Sequence, residues 1–302
     1  MSGGFAIAIA WPETVCRGTG SWYDVPMSIL GIRKAGYYKV GHAAVVLVNS
    51  QSKVCYYFDF GRYLTPIGMG RVRSAKSDHD LQIRSKATVS TCGTHITNIS
   101  EILTELNANP STHGEGALVA SVTPVDFVRS YALAHRLQSQ NFIAYGPFIY
   151  SGTNCSRFVN KVIIAGSTSR KIRNSLRFPL MLTPTPLWNV KALGQTVKLV
   201  KSPSGDARNK NWTPPRGALF LDGIGSGSWF EIRAISQNQC TVRRYSSLGD
   251  LECEGVFSSD IDCLEGSVPS LVLYPSDCQR VRVKIQDDVV VNLTRVQSQS
   301  FC

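Results

Sequence analysis

Cys155 has the residue type and the local sequence expected of a catalytic nucleophile. It follows Gly152, Thr153 and Asn154 and begins an apolar helical pattern, which predicts that its thiol lies in the first turn of a helix. The positive end of a helix favours the thiolate, which is the reactive form of cysteine. Thr153 or Asn154 can cap this helix, and the first amide groups of the helix can stabilise an oxyanion.

His42 is the candidate base for this thiol. It lies in the apolar segment Val40–Asn49, which together with Val54–Phe60 predicts a hairpin joined by a short polar turn. The hairpin sets Asp59 nearly across from His42, and a buried carboxylate without a partner costs free energy. The pattern therefore predicts a site in which Cys155 attacks, His42 shuttles the proton and Asp59 orients the imidazole.

Each of these residues also has an ordinary structural interpretation. A single cysteine is more often a small buried hydrophobic residue than a nucleophile, and a single histidine is more often a hydrogen-bonded member of a core. A strand histidine, a neighbouring strand aspartate and a helix-initiating cysteine in one segment favour chemistry when they occur together. On the residues alone, both interpretations stay open.

The surroundings of His42 and Cys155 resemble those of the circularly permuted papain-like enzymes. The apolar strand at residues 41–48 and the motif at residues 154–159 (NCSRFV) are similar to those of the lecithin retinol acyltransferase-like enzymes, the permuted NlpC-type cell-wall peptidases and the permuted deSUMOylating peptidases. In these families the strand histidine precedes the helix cysteine. The resemblance implies an α+β fold with an antiparallel sheet and a cysteine-bearing helix. It carries the nucleophile over to Cys155, the base to His42 and the third polar residue to Asp59.

The chain departs from these families in two respects. The separation of 113 residues between His42 and Cys155 is larger than in the shortest permuted members, because two helices are inserted. The acyltransferase-like members commonly use a histidine as the third residue, so Asp59 favours a hydrolase. The chain as a whole also resembles a family of bacterial proteins of unknown function from Bacteroidetes-like genomes. The segments that carry this second resemblance are AIAWPET (8–14), GHAAVVL (41–47), YFDFGRY (57–63), GTNCSRFV (152–159) and LDGIGSGSWF (221–230).

Three functions follow from these residues. The first is a cysteine hydrolase that cleaves a peptide or amide bond through a thioester intermediate. The second is an acyltransferase that uses the same residues. The third is a binding module in which the papain-like domain has lost its activity and the second domain performs recognition. The sequence identifies neither the substrate nor the oligomeric state.

The formal net charge of +11 is confined to the first two-thirds of the chain. Residues 1–200 carry 21 basic and 9 acidic residues, whereas residues 201–302 carry 11 basic and 12 acidic residues. A positive field favours anionic partners or substrates, although a soluble basic surface accounts for the same charge. The basic residues are scattered and form no nucleic-acid motif, so the sequence does not favour nucleic-acid binding.

Six further residues are candidates for substrate binding. Three arginines flank the Gly-rich segment that follows the hairpin, and a fourth lies beside the nucleophile. They can bind a carboxylate or a phosphate of the substrate; the alternative is solvated loop charge. Two aromatic residues can line a cleft or pack into the core. These residues are Arg62, Arg71, Arg73, Arg157, Trp22 and Tyr23.

The composition, 43% hydrophobic and 18% charged, predicts a globular protein. No apolar run approaches the roughly 20 residues that span a bilayer. The apolar stretch Phe5–Trp11 has no basic residue before it and predicts a strand, not a signal peptide, so we expect a cytoplasmic protein. None of the nine cysteines forms a C-x-x-C pair, and mostly free thiols are expected. We expect no metal and no cofactor.

A polar stretch at residues 201–217, which carries Pro and Gly, predicts a linker between two domains. The papain-like domain is expected at residues 1–200 and a small β-rich domain at residues 218–302. In the first domain we expect helices at 99–108, from 123 to about 138 and from 155 to about 164, a loop at 61–73 and a strand at 81–90. In the second we expect strands at 218–221, 229–234, 240–245, 268–273 and 281–293.

Overall fold

A computed structural model describes residues 3–14, 16–17, 33–34, 37–38, 41–63, 65–66, 68–114, 116–177, 183–199, 213–221, 228–246, 249, 251–261, 269–273, 276–285 and 289–296. Trp22, Tyr23 and residues 201–212 of the expected linker lie outside these residues. Among the described residues, no helix has the length and apolar character needed to cross a membrane.

The chain divides into two compact units. The first consists of Met1–Gly61, Gly68–Ala75 and Leu81–Ser204. The second consists mainly of Gly205–Cys302, but it also includes two short pieces from the first third of the chain, Arg62–Ile67 and Lys76–Asp80.

Strands outnumber helices in the described part of the first unit. Its strands are β1 (Gly3–Trp11), β2 (Cys16–Arg17), β3 (Arg33–Lys34), β4 (Tyr37–Tyr38), β5 (His42–Asn49), β6 (Cys55–Gly61), β7 (Met69–Arg73), β8 (Leu118–Asp126), β9 (Ile143–Ala144) and β10 (Thr196–Leu199). Its α-helices are α1 (Ile99–Ala108), α2 (Phe127–Gln138), α3 (Cys155–Gly166), α4 (Arg170–Arg177) and α5 (Pro186–Lys191).

A seven-stranded antiparallel sheet forms the frame of this unit, in the order β10-β8-β1-β5-β6-β7-β9. The central strands β1 and β5 pair along their length, from Gly4 opposite Asn49 to Trp11 opposite His42. Both strands are apolar and buried at nearly every position, because both faces of the sheet are covered.

Side chains that alternate along the central strands form two core layers. On one face, which we call the α3 face, Ala43, Val45, Phe58 and Phe60 pack with residues of α3. On the other, the α1 face, Ala44, Val46, Trp11 and Tyr57 pack with Ile102, Leu103 and Leu106 of α1. The histidine and the aspartate of interest lie on these same strands, so the alternation decides which face each of them occupies.

A short turn fixes the register between β5 and β6. The side-chain oxygen of Asn49 accepts hydrogen bonds from the amides of Gln51 at 2.9 Å and Ser52 at 3.1 Å. Lys53 closes the turn with a left-handed φ of 62°. The resulting register pairs Ala44 with Asp59.

The second unit contains another antiparallel sheet of seven strands among its described residues, in the order β11-β12-β13-β14-β17-β16-β15. Phe230, Val242, Phe257, Val281 and Leu293 are members of its core. The strands are β11 (Leu219–Leu221), β12 (Ser228–Ala234), β13 (Gln239–Ser246), β14 (Leu251–Ser259), β15 (Leu271–Leu273), β16 (Arg280–Lys284) and β17 (Val290–Arg295).

Three sequence-based expectations for the first unit are wrong in part. Within the expected loop at 61–73, β7 forms because its residues pair with β6. The expected strand at 81–90 does not form, because the amides of Arg84 and Ser85 donate to the carboxylate of Glu105 on α1 at 2.7 and 2.9 Å. The second helix starts later than expected, since β8 continues to Asp126, whose side chain caps α2.

In the second unit the sequence pattern does not predict β14, because Glu252 and Glu254 interrupt its apolar residues. The expected single strand at 281–293 is instead two strands, β16 and β17, which pair with each other.

Candidate active site

His42 and Asp59 are hydrogen-bonded to each other. His42 is the first residue of β5, and Asp59 lies on the adjacent strand opposite Ala44, two residues further along β5. The two side chains are therefore diagonal neighbours on one face of the sheet, not directly opposite each other. His42 Nε2 lies 3.2 Å from Asp59 Oδ2, and both side chains are buried.

Asp59 is held as a carboxylate by a second set of partners. Arg73 on β7 donates from Nε to Oδ1 at 3.0 Å and from Nη2 to Oδ2 at 2.6 Å. The hydroxyl of Tyr57 donates to Oδ2 at 3.0 Å. Burial alone would raise the pKa of Asp59, but the charge of Arg73 and the hydrogen bonds from His42 and Arg73 hold that pKa well below its ordinary value. Asp59 is consequently ionised at neutral pH.

Trp11 packs against the imidazole of His42. The two rings are stacked, with their centroids 5.7 Å apart and their planes inclined by 18°. Gly114 lies against the indole, where a Cβ atom would come within 2.2 Å of the ring. The indole Nε1–H is buried and has no hydrogen-bond partner among the described residues. Trp11 therefore restricts the rotation of His42. The indole can occupy this position because residue 114 is a glycine and leaves room for it.

Cys155 is the first residue of α3, as the sequence predicts. Asn154 is the residue that caps the helix: its side-chain oxygen accepts from the amide of Arg157 at 2.8 Å. Thr153 is buried and precedes the cap, with its backbone bonded to Ala144 and bridged to Tyr145. The Cys155 side chain is 8% exposed.

The first turn of α3 is fastened from behind by buried amides. Asn189 on α5 donates to the carbonyl oxygen of Ser156 at 2.8 Å and to its hydroxyl at 3.0 Å. Asn160 in turn donates to the side-chain oxygen of Asn189 at 3.1 Å and to the carbonyl oxygen of Leu176 at 3.0 Å. This network fixes the position of the helix start, and sequence reasoning missed it because it joins residues from three helices.

Cys155 and His42 lie at the same end of the sheet but in different layers. Phe158, in the first turn of α3, stacks on Phe60, which is one residue beyond Asp59 on β6. This contact places the start of α3 near the end of the sheet at which β5 begins. The Cys155 side chain, however, packs in the core layer of the α3 face, whereas strand alternation puts His42 and Asp59 with Trp11 on the α1 face.

The arginines expected to bind substrate have other positions. Arg73 is buried against Asp59, so its charge serves the carboxylate of the protein itself. Arg157 donates to the carbonyl oxygens of Gly146, Pro147 and Ile149 and is committed to that loop. Arg71 is buried on β7, and Arg62 belongs to the second unit. Trp22 and Tyr23 lie outside the described residues.

Cys92 is an exposed thiol that sequence reasoning did not select. Hydroxyl groups contact its sulfur, at 3.3 Å from Ser90 and 2.9 Å from Thr94. Hydrogen bonds from Ser90 and Thr94 lower the pKa of Cys92 to about 7. The hydroxyl-rich sequence around it, Ser90-Thr-Cys-Gly-Thr94, was the available signal. Cys92 is therefore a necessary control in any experiment that labels Cys155.

Within the described part of the chain, no three His, Cys, Asp or Glu side chains are grouped in a way that could hold a metal ion. The groups that the site presents are a thiol, an imidazole and the backbone amides at the start of α3.

The comparisons with known proteins point to one family. Residues 6–172 match the family described as type VI secretion system effector TseH-like, and residues 218–296 match the DUF6695 C-terminal domain. The crystal structure of the type VI secretion system effector TseH is 21% identical to this chain, covering 64% of this chain and 88% of that one, with a TM-score of 0.42. No curated protein matches the chain.

Fold and site together define a mixed α/β protein built on antiparallel sheets, with a buried histidine–aspartate pair and a helix that begins at a cysteine. The TseH-like match extends over more than half of the sequence. The chain belongs to the TseH-like family of type VI secretion system effectors.

Proposed function

We propose that this protein is an effector hydrolase that cleaves a peptide or amide bond through a thioester on Cys155. His42 is the proton carrier and Asp59 the residue that orients it, as in the permuted papain-like enzymes that the sequence resembles. The observation that carries the proposal is the set of contacts made by Asp59. A buried carboxylate that Arg73 keeps ionised is bonded to His42 Nε2, so it can hold the imidazole in one orientation.

The proposed reaction has two stages. In the first, His42 accepts the proton of the Cys155 thiol, and the sulfur attacks the carbonyl carbon of the substrate. The oxyanion is stabilised by the backbone amide of Cys155 at the start of α3. The intermediate collapses when His42 returns the proton to the leaving amine. In the second stage, His42 takes a proton from water, whose hydroxide cleaves the thioester and restores the thiol.

The two core layers set a geometric condition on this mechanism. The mechanism requires the thiol and the imidazole to meet around the first residue of β5, where His42 lies. Gly41, directly before His42, has a left-handed φ of 76°, and a Cβ atom there would come within 2.9 Å of the carbonyl oxygen of Trp11. The left-handed φ and the close backbone of Trp11 both require glycine here, so Gly41 supports the proposal by fixing where β5, and with it His42, begins.

The substrate class that we propose is a peptide with free carboxylates, such as a cell-wall peptide. The net positive charge of residues 1–200 supports this choice, because a basic surface attracts anionic substrates. The family description as a secretion system effector also supports it, since an effector acts on a component of another cell. No arginine of the described site is assigned to the substrate.

The experiment that tests the proposal is hydrolysis of purified peptidoglycan and of its free stem peptides. The reaction is measured as the release of new amino groups. Cys155→Ser and His42→Ala should each lower the rate by at least about 1000-fold. Cys92→Ser is the matched control and should keep the wild-type rate. If Cys155→Ser hydrolyses as fast as the wild type, the thioester mechanism is wrong.

An acyltransferase remains the alternative within the same chemistry. Adding a primary amine as a competing acyl acceptor separates the two activities, because a transferase forms the new amide in preference to the free acid. A hydrolase gives mainly the free acid under the same conditions.

A binding module without activity is the second candidate, and one observation favours it. Cys155 packs in the layer of the α3 face and is almost fully buried, whereas His42 lies on the α1 face. If iodoacetamide labels Cys155 as slowly as the core thiol of Cys55, and His42→Ala does not change that rate, this candidate replaces the hydrolase.

A further inference from the structure

Two buried cysteines of the second unit lie close to one arginine. Cys253 on β14 is the cross-strand partner of Arg244 on β13, so the two side chains share a face of the sheet. Nη1 of Arg244 lies 3.5 Å from the sulfur of Cys278, which belongs to the turn before β16. Cys253 and Cys278 are 3% and 1% exposed.

Both thiols are therefore close to the same arginine, and burial together with Cys253 raises the pKa of Cys278, as expected of neighbouring buried groups. Cys240 is the other described cysteine of this unit, and it lies four residues before Arg244 on β13. Four residues of a strand span about 13 Å, which is too far for a disulfide with Cys253. Among the described cysteines of this unit, Cys253 and Cys278 are therefore the pair that can be joined.

We propose that Cys253 and Cys278 form an intramolecular disulfide under oxidising conditions. In this reaction each thiol loses its proton and one bond forms between the two sulfurs. The two electrons pass to a disulfide oxidant, such as oxidised glutathione, which is reduced to two thiols. The bond joins β14 to the turn before β16 and closes a loop of 25 residues.

The turn that carries Cys278 is already ordered by backbone contacts. The carboxylate of Asp277 accepts from the amides of Gln279 and Arg280, each at 2.8 Å. The amide of Cys278 donates to the carbonyl oxygen of Ser77 at 2.9 Å, and Ser77 lies in one of the two inserted pieces of this unit. A disulfide at Cys278 thus fixes a turn that already holds the inserted piece.

The disulfide should form slowly in the folded protein. Burial raises the pKa of Cys278 well above its ordinary value, even though Arg244 lowers it, so little thiolate is present. Exchange with glutathione needs the second unit to open, and mild denaturant should accelerate it. This behaviour distinguishes the pair from the exposed thiol of Cys92, which reacts without opening.

The test uses the full chain, incubated with oxidised glutathione at about pH 8 with and without low urea. Remaining thiols are alkylated under denaturing conditions, and the peptides are identified by mass spectrometry. We expect a peptide in which Cys253 is joined to Cys278. The unfolding midpoint of the second unit should rise by roughly 10 °C relative to the reduced protein, because the closed loop restricts the unfolded chain.

The controls are single cysteine variants. Cys240→Ser should form the same cross-linked peptide, whereas Cys253→Ser should form none and should show no shift on oxidation. Where Cys253→Ser does not fold, the wild-type peptide map decides alone. Two alkylated thiols at Cys253 and Cys278 after equilibration in urea would overturn the proposal. A bridge from either residue to a different cysteine, or a stable glutathione adduct on one of them, would overturn it as well.

Discussion

Each unit of this protein buries an arginine with acidic partners, and the two clusters differ in what surrounds them. In the first unit, Arg73 makes two hydrogen bonds to the single carboxylate of Asp59. In the second unit, Arg244 contacts two carboxylates, those of Asp78 at 3.1 Å and Glu252 at 2.6 Å. One arginine balances one charge in the first cluster and faces two in the second.

The two clusters also differ in the other groups that contact them. One oxygen of the Asp59 carboxylate is hydrogen-bonded to the imidazole of His42, which lies at the start of β5. Arg244 is instead surrounded by Ser228 and the thiol of Cys278. A buried ion pair is therefore not by itself a sign of a catalytic site; the titratable partner at the end of a strand is what distinguishes the first cluster.

The largest expected effect is that of Arg244→Ala. It removes the buried guanidinium that contacts both Asp78 and Glu252, which should destabilise the second unit by about 3–5 kcal/mol. Cys240 in the second unit and Cys55 in the first are both buried, and burial raises the pKa of each thiol to about 11. Alkylation of Cys240 should accelerate by more than about 100-fold, because labelling requires the unit to open.

Cys55 provides the internal control for this variant, since its alkylation should stay at the wild-type rate. Equal acceleration at both cysteines would show that the two units unfold together. An unchanged rate at Cys240 would show that the Arg244 cluster does not stabilise the second unit.

The next largest effect concerns Asp59→Asn, which removes the charge opposite Arg73. Loss of the carboxylate charge beside the buried guanidinium should destabilise the first unit by about 3 kcal/mol and accelerate alkylation of Cys55. The rate of Cys155 alkylation in the folded protein should fall by roughly 10-fold, because His42 loses its orienting charge. The two rates therefore report stability and reactivity separately.

The double variant Asp59→Asn/Arg73→Met separates the two effects. Removing the charge of Arg73 as well should return Cys55 alkylation towards the wild-type rate. Cys155 alkylation should stay low, since Asp59 is still absent. Recovery of both rates would mean that Asp59 acts only through stability and has no part in the reactivity of Cys155.

A smaller effect is expected from Gly114→Ala. The added methyl group would overlap the indole of Trp11, and overpacking of this kind typically destabilises a folded protein by about 1–3 kcal/mol. Displacement of Trp11 should loosen His42 and slow hydrolysis by roughly 10-fold. Gly3→Ala is the matched control, because a Cβ atom at Gly3 meets only Ser50 at 4.0 Å. Equal hydrolysis rates for the two variants would remove Trp11 from the positioning of His42.

Local sequence signals were sufficient for part of the fold and of the site. The apolar run at β5, the polar turn after it and the cap at Asn154 depend on neighbours within a few residues. The structure accordingly has the hairpin, the start of α3 at Cys155 and the contact between His42 and Asp59. The role of these residues in catalysis stays a prediction.

Contacts between distant residues could not be read from the sequence. Arg73 was expected on a loop, because the sequence does not reveal that β7 pairs with β6 and faces Asp59. Arg244 and Asp78 are separated by 166 residues, and their pairing depends on a piece of chain that joins the second unit. The layer that Cys155 occupies is also a tertiary property, because a helix pattern does not specify which face of the sheet it covers.

The smallest expected effect is that of Asp80→Asn, which tests whether the cluster around Arg244 holds excess negative charge. Burial, together with the charge of Glu252, raises the pKa of Asp80 from 3.8 to about 7. An aspartate with a raised pKa in the folded state binds a proton that the unfolded chain has already released. Stability should therefore fall as the pH rises from about 4 to 7 and then stay constant with respect to this group.

Asp80→Asn removes this ionisation and should stabilise the second unit by about 1–2 kcal/mol at pH 8, after allowance for screening by solvent. The difference from the wild type should disappear near pH 4, where Asp80 is protonated in the folded protein. The measurement is urea unfolding of both proteins at several pH values, with Cys240 labelling as the reporter of the second unit. A difference that is constant from pH 4 to pH 8 would show that Asp80 carries no raised pKa and that the cluster around Arg244 holds no excess negative charge.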